Sequence, residues 1–167
     1  MIKVAKVVKV GIADMNFVTT PDMLKTSGLG SCVAVILFTR HRQVAGMAHV
    51  MLPSSSLNHS PSLNQAKYAD TAIQALLAGF KKHHIAGYML KAKIAGGAQM
   101  FPFASQKDDG LARIGPRNVK AVRQQLEAHR IPLVAEDIGG TAGRTVVFDP
   151  ATNILQVKTA DRGVAEI

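Results

Sequence analysis

Cys32-Val-Ala-Val-Ile-Leu-Phe-Thr-Arg-His-Arg-Gln-Val44-Ala-Gly-Met-Ala-His49-Val-Met-Leu52 decides how this chain folds. Apolar, strand-forming residues fill Val33 to Phe38 and again Val44 to Leu52, with the basic stretch Thr39-Arg-His-Arg-Gln43 between them. Two such runs joined by a short polar turn predict a β-hairpin. A hairpin lays its second strand beside its first, so residues near its open end become neighbours whatever their separation in sequence. Cys32 and His49 are such a pair. The chain's single cysteine and an imidazole then stand together, the combination a cysteine hydrolase uses as nucleophile and base.

Thr26-Ser-Gly-Leu-Gly-Ser31 leads into the cysteine and reads as a glycine-rich turn. Gly28 and Gly30 permit torsions that side chains oppose, so the amides of this turn, through Ser31, can face a bound group and form an oxyanion hole. The residues alone leave two readings open. A lone cysteine at the start of an apolar strand is commonly an inert core residue, while beside a glycine turn and a histidine it is a nucleophile. His49 is either a hydrogen-bonded core residue or a base, and the alternation with Val50 leaves its face undecided. Thr26 is a turn residue, or a hydroxyl that accepts an imidazole N–H without adding charge. His41, His59, His83, His84 and His129 lie in turns, a loop and helix ends without metal-ligand spacing, so neither a metal nor another cofactor is expected. Gly139-Gly140 and Gly143-Arg144 lack the Lys-Ser/Thr signature of a phosphate loop.

Outward from the hairpin, Val4 to Ile12 and Phe17 to Thr20 read as strands, the latter stopped by Pro21-Asp22. Pro53-Ser-Ser-Ser-Leu-Asn-His-Ser-Pro61-Ser-Leu-Asn64 is a loop close after His49, and is expected to be a lid or a substrate wall. Tyr68 to His83 carries Ala69, Ala72, Ile73, Leu76, Leu77 and Phe80 at helical spacing, with Lys81 and Lys82 at the favoured end. Leu90 to Ile94 reads as a strand ending at Gly96-Gly97, followed by Met100-Phe101 and a polar turn at Lys107-Asp-Asp-Gly110. Pro116 opens a second helix with Val119, Val122 and Leu126 on one face, which ends around Ala128 to Arg130. Leu133 to Ala135, Arg144 to Phe148 and Ile154 to Lys158 read as short strands. Helix and strand alternate only in the middle third. An α+β fold with helices packed on a largely antiparallel sheet therefore fits better than a doubly wound one.

The 167 residues, 47% apolar and 19% charged, suit one globular domain. The longest apolar run, Cys32 to Phe38, is 7 residues, against about 20 for a membrane-spanning helix. Lysines interrupt the N-terminus at Lys3, Lys6 and Lys9, which argues against a secretory signal, and a free thiol suits a reducing cytoplasm. The net charge of +9 raises nucleic acid, anionic lipid or an acidic protein surface as partners. Its cations are scattered, aromatic residues make up 5% and Trp is missing, so a solvated basic surface is expected rather than a nucleic-acid site, and an acidic protein partner stays compatible.

Six blocks in order carry a resemblance. Gly28-Leu-Gly-Ser-Cys-Val-Ala-Val35, Ala48-His-Val-Met-Leu-Pro53, Lys67-Tyr-Ala-Asp70, Gly96-Gly-Ala-Gln-Met-Phe101, Ile114-Gly-Pro-Arg-Asn118 and Asp137-Ile-Gly-Gly-Thr-Ala-Gly-Arg144 resemble the successive signatures of the chemoreceptor glutamine deamidase family, CheD. The resemblance spans about residues 4 to 159 and fits less tightly at the 54–65 loop and in the tail after 159, which is expected to be less ordered. It implies a three-layer α/β/β sandwich with mixed, largely antiparallel sheets, similar to toxins that deamidate glutamine. It implies a catalytic triad of Cys32, His49 and Thr26, and hydrolysis of receptor glutamine side chains to glutamate with release of ammonia through a thioester. The implied partners are the cytoplasmic domains of methyl-accepting chemotaxis receptors, whose adaptation region is a glutamate-rich helical bundle. Some family members also bind the phosphatase CheC.

Overall fold

The predicted hairpin lies at the middle of the molecule. The computed structural model describes residues 3–100 and 113–167, so Phe101 and the expected turn at Lys107 to Gly110 lie outside the described residues. In chain order the elements are β1 (Val7–Lys9), β2 (Met15–Thr19), β3 (Met23–Leu29), β4 (Val33–Thr39), β5 (Val44–Val50), α1 (Ala69–Lys82), β6 (Lys91–Gly96), α2 (Ile114–Ala128), β7 (Leu133–Ile138), β8 (Arg144–Asp149), β9 (Ile154–Thr159) and β10 (Gly163–Glu166). The hairpin is β4 and β5, in register from Val33 opposite Val50 to Thr39 opposite Val44. Every residue of both strands is buried. Burial on two faces explains why the sequence there is an unbroken apolar run rather than an alternation.

Side chains of β4 divide by parity between two cores. Val33, Val35 and Leu37, with Val44, Ala48 and Val50 of β5, pack on Ala69, Ala72, Ile73, Leu76 and Phe80 of α1 and on Val119, Val122 and Leu126 of α2. Ala34, Ile36 and Phe38, with Ala45 and Met47, face Leu24, Leu29, Val146, Phe148, Leu155 and Val157 of a second sheet. The hairpin's own sheet runs β2-β5-β4-β6-β7 and the second β1-β3-β8-β9-β10. All pairings are antiparallel except β6 with β7 and β1 with β3. Two mixed sheets lie face to face, and both helices cover the outer face of one. The expected α+β class holds, and where the residues alone suggested one sheet, two mixed sheets and two helices are present, consistent with the sandwich that the resemblance implied. Among the described residues, no helix is long and apolar enough to cross a membrane.

Two local readings change. Thr26-Ser-Gly-Leu29 is the second half of strand β3 rather than the start of a turn, and a register shift between Thr26 and Leu29 marks a bulge. Bulges admit glycine and re-aim a strand, here as it leaves one sheet for the other. The tail after 159, expected to be less ordered, adds β10 to the edge of the second sheet, and Ile167 exchanges two backbone hydrogen bonds with Leu155. The serine-rich loop is tied down at the start of α1. The Asp70 carboxylate accepts from Ser55 N–H at 3.1 Å and Ser55 Oγ at 2.7 Å, and Asn58 donates to the Tyr68 hydroxyl at 2.9 Å. With Ile114 and Arg117 of α2 the loop lines a groove of about 560 Å³.

Candidate active site

Strand parity decides where each expected residue points. On β5, His49 shares the face of Ala45 and Met47 and looks into the space between the sheets, where it is fully buried. Cys32 immediately precedes β4 and packs against this same core on the side of Ala34 and Ile36. Ala34 is directly opposite His49, so Cys32, two residues earlier, is the diagonal neighbour of His49 across the ladder. That separation, with Cβ atoms closer than about 7–8 Å, is one side chains can bridge. Thr26 approaches from the other sheet, buried on β3 two residues from Leu24. Thr26 and His49 come from strands of different sheets, and Cys32 from the link that leads into β4.

Hydrogen-bond directions follow from counting protons. Thr26 Oγ1 lies 2.7 Å from the Val10 carbonyl oxygen and 2.7 Å from His49 Nδ1. A carbonyl can only accept, so the single hydroxyl proton goes to Val10, and Oγ1 accepts from His49 Nδ1–H. The imidazole is therefore the Nδ1–H tautomer and its Nε2 carries a lone pair. Nε2 is buried and has no hydrogen-bond partner among the described residues. The turn before β2 fixes the backbone of His49, whose N–H donates to Asp14 O at 3.0 Å and whose carbonyl accepts from Ala13 N–H at 3.1 Å.

Burial opposes charge on both titratable groups. Burial lowers the His49 pKa below 6.5. Burial also pushes the Cys32 thiol above 9.0, partly offset by a hydrogen bond from its own backbone N–H. Desolvation disfavours the charged form in each case. Both directions favour thiol and imidazole over thiolate and imidazolium, with the unpartnered Nε2 on the face of the ladder that Cys32 shares.

The link from β3 to Cys32 is short and pinned on both sides. Gly28 sits at φ 70°, and its carbonyl accepts from Gly30 N–H at 3.0 Å. That bond engages one of the amides expected to face an oxyanion. Gly30 O in turn accepts from Ala98 N–H at 2.8 Å, and Cys32 O accepts from Gly97 N–H at 2.9 Å. The amides of Ser31 and Cys32 have no hydrogen-bond acceptor from another residue among the described residues. Gly96, at φ 115°, passes so close that a Cβ there would lie 2.2 Å from Cys32 O. Two partners of the site escaped the reading of the residues: the Val10 carbonyl, which no side-chain pattern announces, and Asn118. Asn118 is fully buried near the start of α2 and donates through Nδ2 to Ser31 O at 3.0 Å and Met51 O at 2.9 Å. Its only sequence signal was its place in the block Ile114 to Asn118.

Fold and site together define an α+β protein with a half-buried thiol and a buried imidazole and hydroxyl set between two sheets. Comparison with known proteins makes this specific. The family model described as CheD chemotactic sensory transduction matches residues 51–159. A protein of Halalkalibacterium halodurans named chemoreceptor glutamine deamidase CheD is 52% identical over 161 residues, 96% of this chain and 98% of that protein. Proteins of the same name from Bacillus licheniformis and Bacillus subtilis are each 47% identical, covering 99% and 95% of this chain and 97% and 95% of their own lengths. The chain belongs to the CheD family. The matched segment of the family model begins after His49, and the alignments with the relatives take in Thr26, Cys32 and His49 as well.

Proposed function

We propose that this chain deamidates glutamine side chains on the cytoplasmic domains of chemoreceptors, producing glutamate and ammonia by way of a thioester on Cys32. One observation carries the chemistry: the buried relay from Val10 C=O through the Thr26 hydroxyl to His49, which leaves Nε2 unpartnered on the face that Cys32 shares. The substrate comes from the relatives, which are named chemoreceptor glutamine deamidases.

The neutral resting pair sets the order of events. As Cys32 Sγ attacks the carboxamide carbon, Nε2 takes the thiol proton, and charge appears only once substrate is present. The Ser31 and Cys32 amides donate to the oxygen that becomes negative. The C–N bond breaks as imidazolium returns the proton to nitrogen, so ammonia leaves and a γ-glutamyl thioester remains. Nε2 then accepts a proton from water while its oxygen adds to the thioester carbon. Collapse expels the sulfur, which recovers its proton from His49. Thr26 accepts from Nδ1–H throughout and supports the imidazolium in both halves.

The same reading takes the two-sheet, two-helix fold as that of glutamine-deamidating toxins, the whole chain as one deamidase domain, and the cytoplasm as its place of action. It includes CheC as a partner on the strength of the family resemblance. The test is mass spectrometry of receptor cytoplasmic fragments incubated with wild type and with Cys32→Ala, alongside an ammonia assay. Glutamine-to-glutamate conversion with wild type alone is expected. Conversion by Cys32→Ala would end the catalytic assignment and leave a receptor-binding protein of the same fold.

A further inference from the structure

Asn118 takes no part in the steps above, yet it joins the elements that carry them. The β4–β5 ladder stops at Val33 opposite Val50. Just past that rung the Asn118 amide bridges the two strands, donating to Ser31 O at 3.0 Å and Met51 O at 2.9 Å. Neither carbonyl has another partner among the described residues, and Asn118 Oδ1 is itself buried without one. The side chain is held by its two donors alone.

The Ser31 carbonyl belongs to the peptide that carries the Cys32 N–H. That peptide is trans, so its C=O and N–H point in opposite directions. With the carbonyl drawn to Asn118 on α2, the N–H is turned away from α2 and faces the sulfur of its own residue. On the other side of Cys32, Gly97 N–H holds the Cys32 carbonyl at 2.9 Å. Both peptides flanking the nucleophile are thereby fixed.

We propose that Asn118 is a positioning residue, which by gripping the Ser31 carbonyl aims the Cys32 N–H at the oxyanion of the tetrahedral intermediate. This rests on the deamidase reading. Removing an oxyanion donor outright lowers kcat by about 10²–10³-fold, and releasing its aim does less.

The test compares three reactions of wild type, Asn118→Ala and Asn118→Ser in the full chain. The first is receptor deamidation, with kcat and KM separated. The second is alkylation of Cys32 by iodoacetamide, which displaces iodide at a tetrahedral carbon and develops no oxyanion. The third is hemithioacetal formation with a peptide carrying an aldehyde in place of the glutamine carboxamide, where the thiol adds to the carbonyl and an oxyanion develops. Asn118→Ala is expected to lower kcat and aldehyde affinity by about 10–100-fold, with KM and the alkylation rate within about twofold. Asn118→Ser keeps one donor and falls between, and it carries the comparison should the alanine variant not fold. An alkylation rate that drops in step with the other two overturns the proposal, as do an unchanged kcat and aldehyde affinity. Should wild type fail to deamidate while the ratio of aldehyde affinity to alkylation rate still falls in Asn118→Ala, the aim of the amide stands and the deamidase reading is what fails.

Discussion

Replacing Thr26 by valine exchanges one hydroxyl for a methyl group of nearly the same shape, in a residue 2% exposed. That oxygen serves two buried partners at 2.7 Å, the Val10 carbonyl and His49 Nδ1–H. Leaving a buried polar group unpaired costs about 1–3 kcal/mol, so with two such groups and an added buried methyl the fold loses about 2–4 kcal/mol. The catalytic effect is separate. A hydrogen bond to a charged group is worth about 1.5–3 kcal/mol, and the imidazole becomes charged only when Nε2 holds the thiol proton. At about 1.4 kcal/mol per factor of ten, kcat falls about 10–100-fold with little change in KM. Thr26→Ser keeps the oxygen and holds kcat within a few-fold while losing about 1 kcal/mol of methyl packing. Ammonia release with a receptor fragment gives kcat and KM, and denaturant unfolding gives stability. A valine variant that is less stable but keeps full kcat, or a serine variant as slow as valine, refutes the orienting role.

Further outcomes follow from the site and from the net charge. Iodoacetamide should alkylate Cys32 in the free protein with a pH midpoint above 9, since burial raises the thiol; a midpoint below 7 would mean a resting ion pair instead. Deamidation should stay active as pH falls past 6.5, because His49 is lowered by burial and must be neutral to act. The stabilisation from a neutral buried His49 is complete above 6.5 and is lost as pH falls from there through the lower folded-state value, which melting curves against pH would register. Gly96→Ala places a Cβ 2.2 Å from the Cys32 carbonyl oxygen at φ 115°; it should destabilise by more than about 2 kcal/mol and lower kcat, and a variant with unaltered melting would contradict the close approach. Finally, a chain of net charge +9 acting on a glutamate-rich bundle should lose kcat/KM with added salt while kcat holds, and salt-independent kcat/KM would remove the steering role.

The hairpin and α1 were legible because each declares itself over many residues, one as paired apolar runs and the other as a helical stripe. The hairpin then brought Cys32 and His49 near one another, but which face His49 takes became visible only with the second core between the sheets. The second sheet was harder. Strand propensity depends on what a strand packs against, and Thr26-Ser-Gly-Leu-Gly has the composition of a turn, yet β3 is held by pairing with β1 and β8 and by Leu24 and Leu29 in the core between the sheets. Reading it as a turn hid the contact that matters, since Thr26 meets His49 only because two sheets stack. The residues therefore left Thr26 between a turn residue and an orienting hydroxyl, and the family resemblance chose the second. Asn118 was visible only as a letter in a block, because what it does depends on two carbonyls, and carbonyls carry no sequence signal.

A hydroxyl in the orienting position makes physical sense of the neutral pair. A carboxylate there would attract a proton onto the imidazole, raise the His49 pKa and favour a standing thiolate in a site where burial opposes both charges. Thr26 fixes the tautomer without supplying charge, and because its own proton goes to Val10 it cannot turn to donate to Nδ1. The imidazole is then ordered but not protonated, and the thiol is placed but not ionised. With the Ser31 carbonyl tied to Asn118 and the Cys32 carbonyl to Gly97, the freedom left at the reacting atom is rotation about the Cα–Cβ bond of Cys32. Proton transfer to Nε2 must therefore accompany attack on a bound carboxamide. A surface thiol of ordinary pKa would be partly ionised near neutral pH and open to any electrophile, whereas in the proposed mechanism this one is activated by handing its proton to Nε2 as it attacks bound substrate.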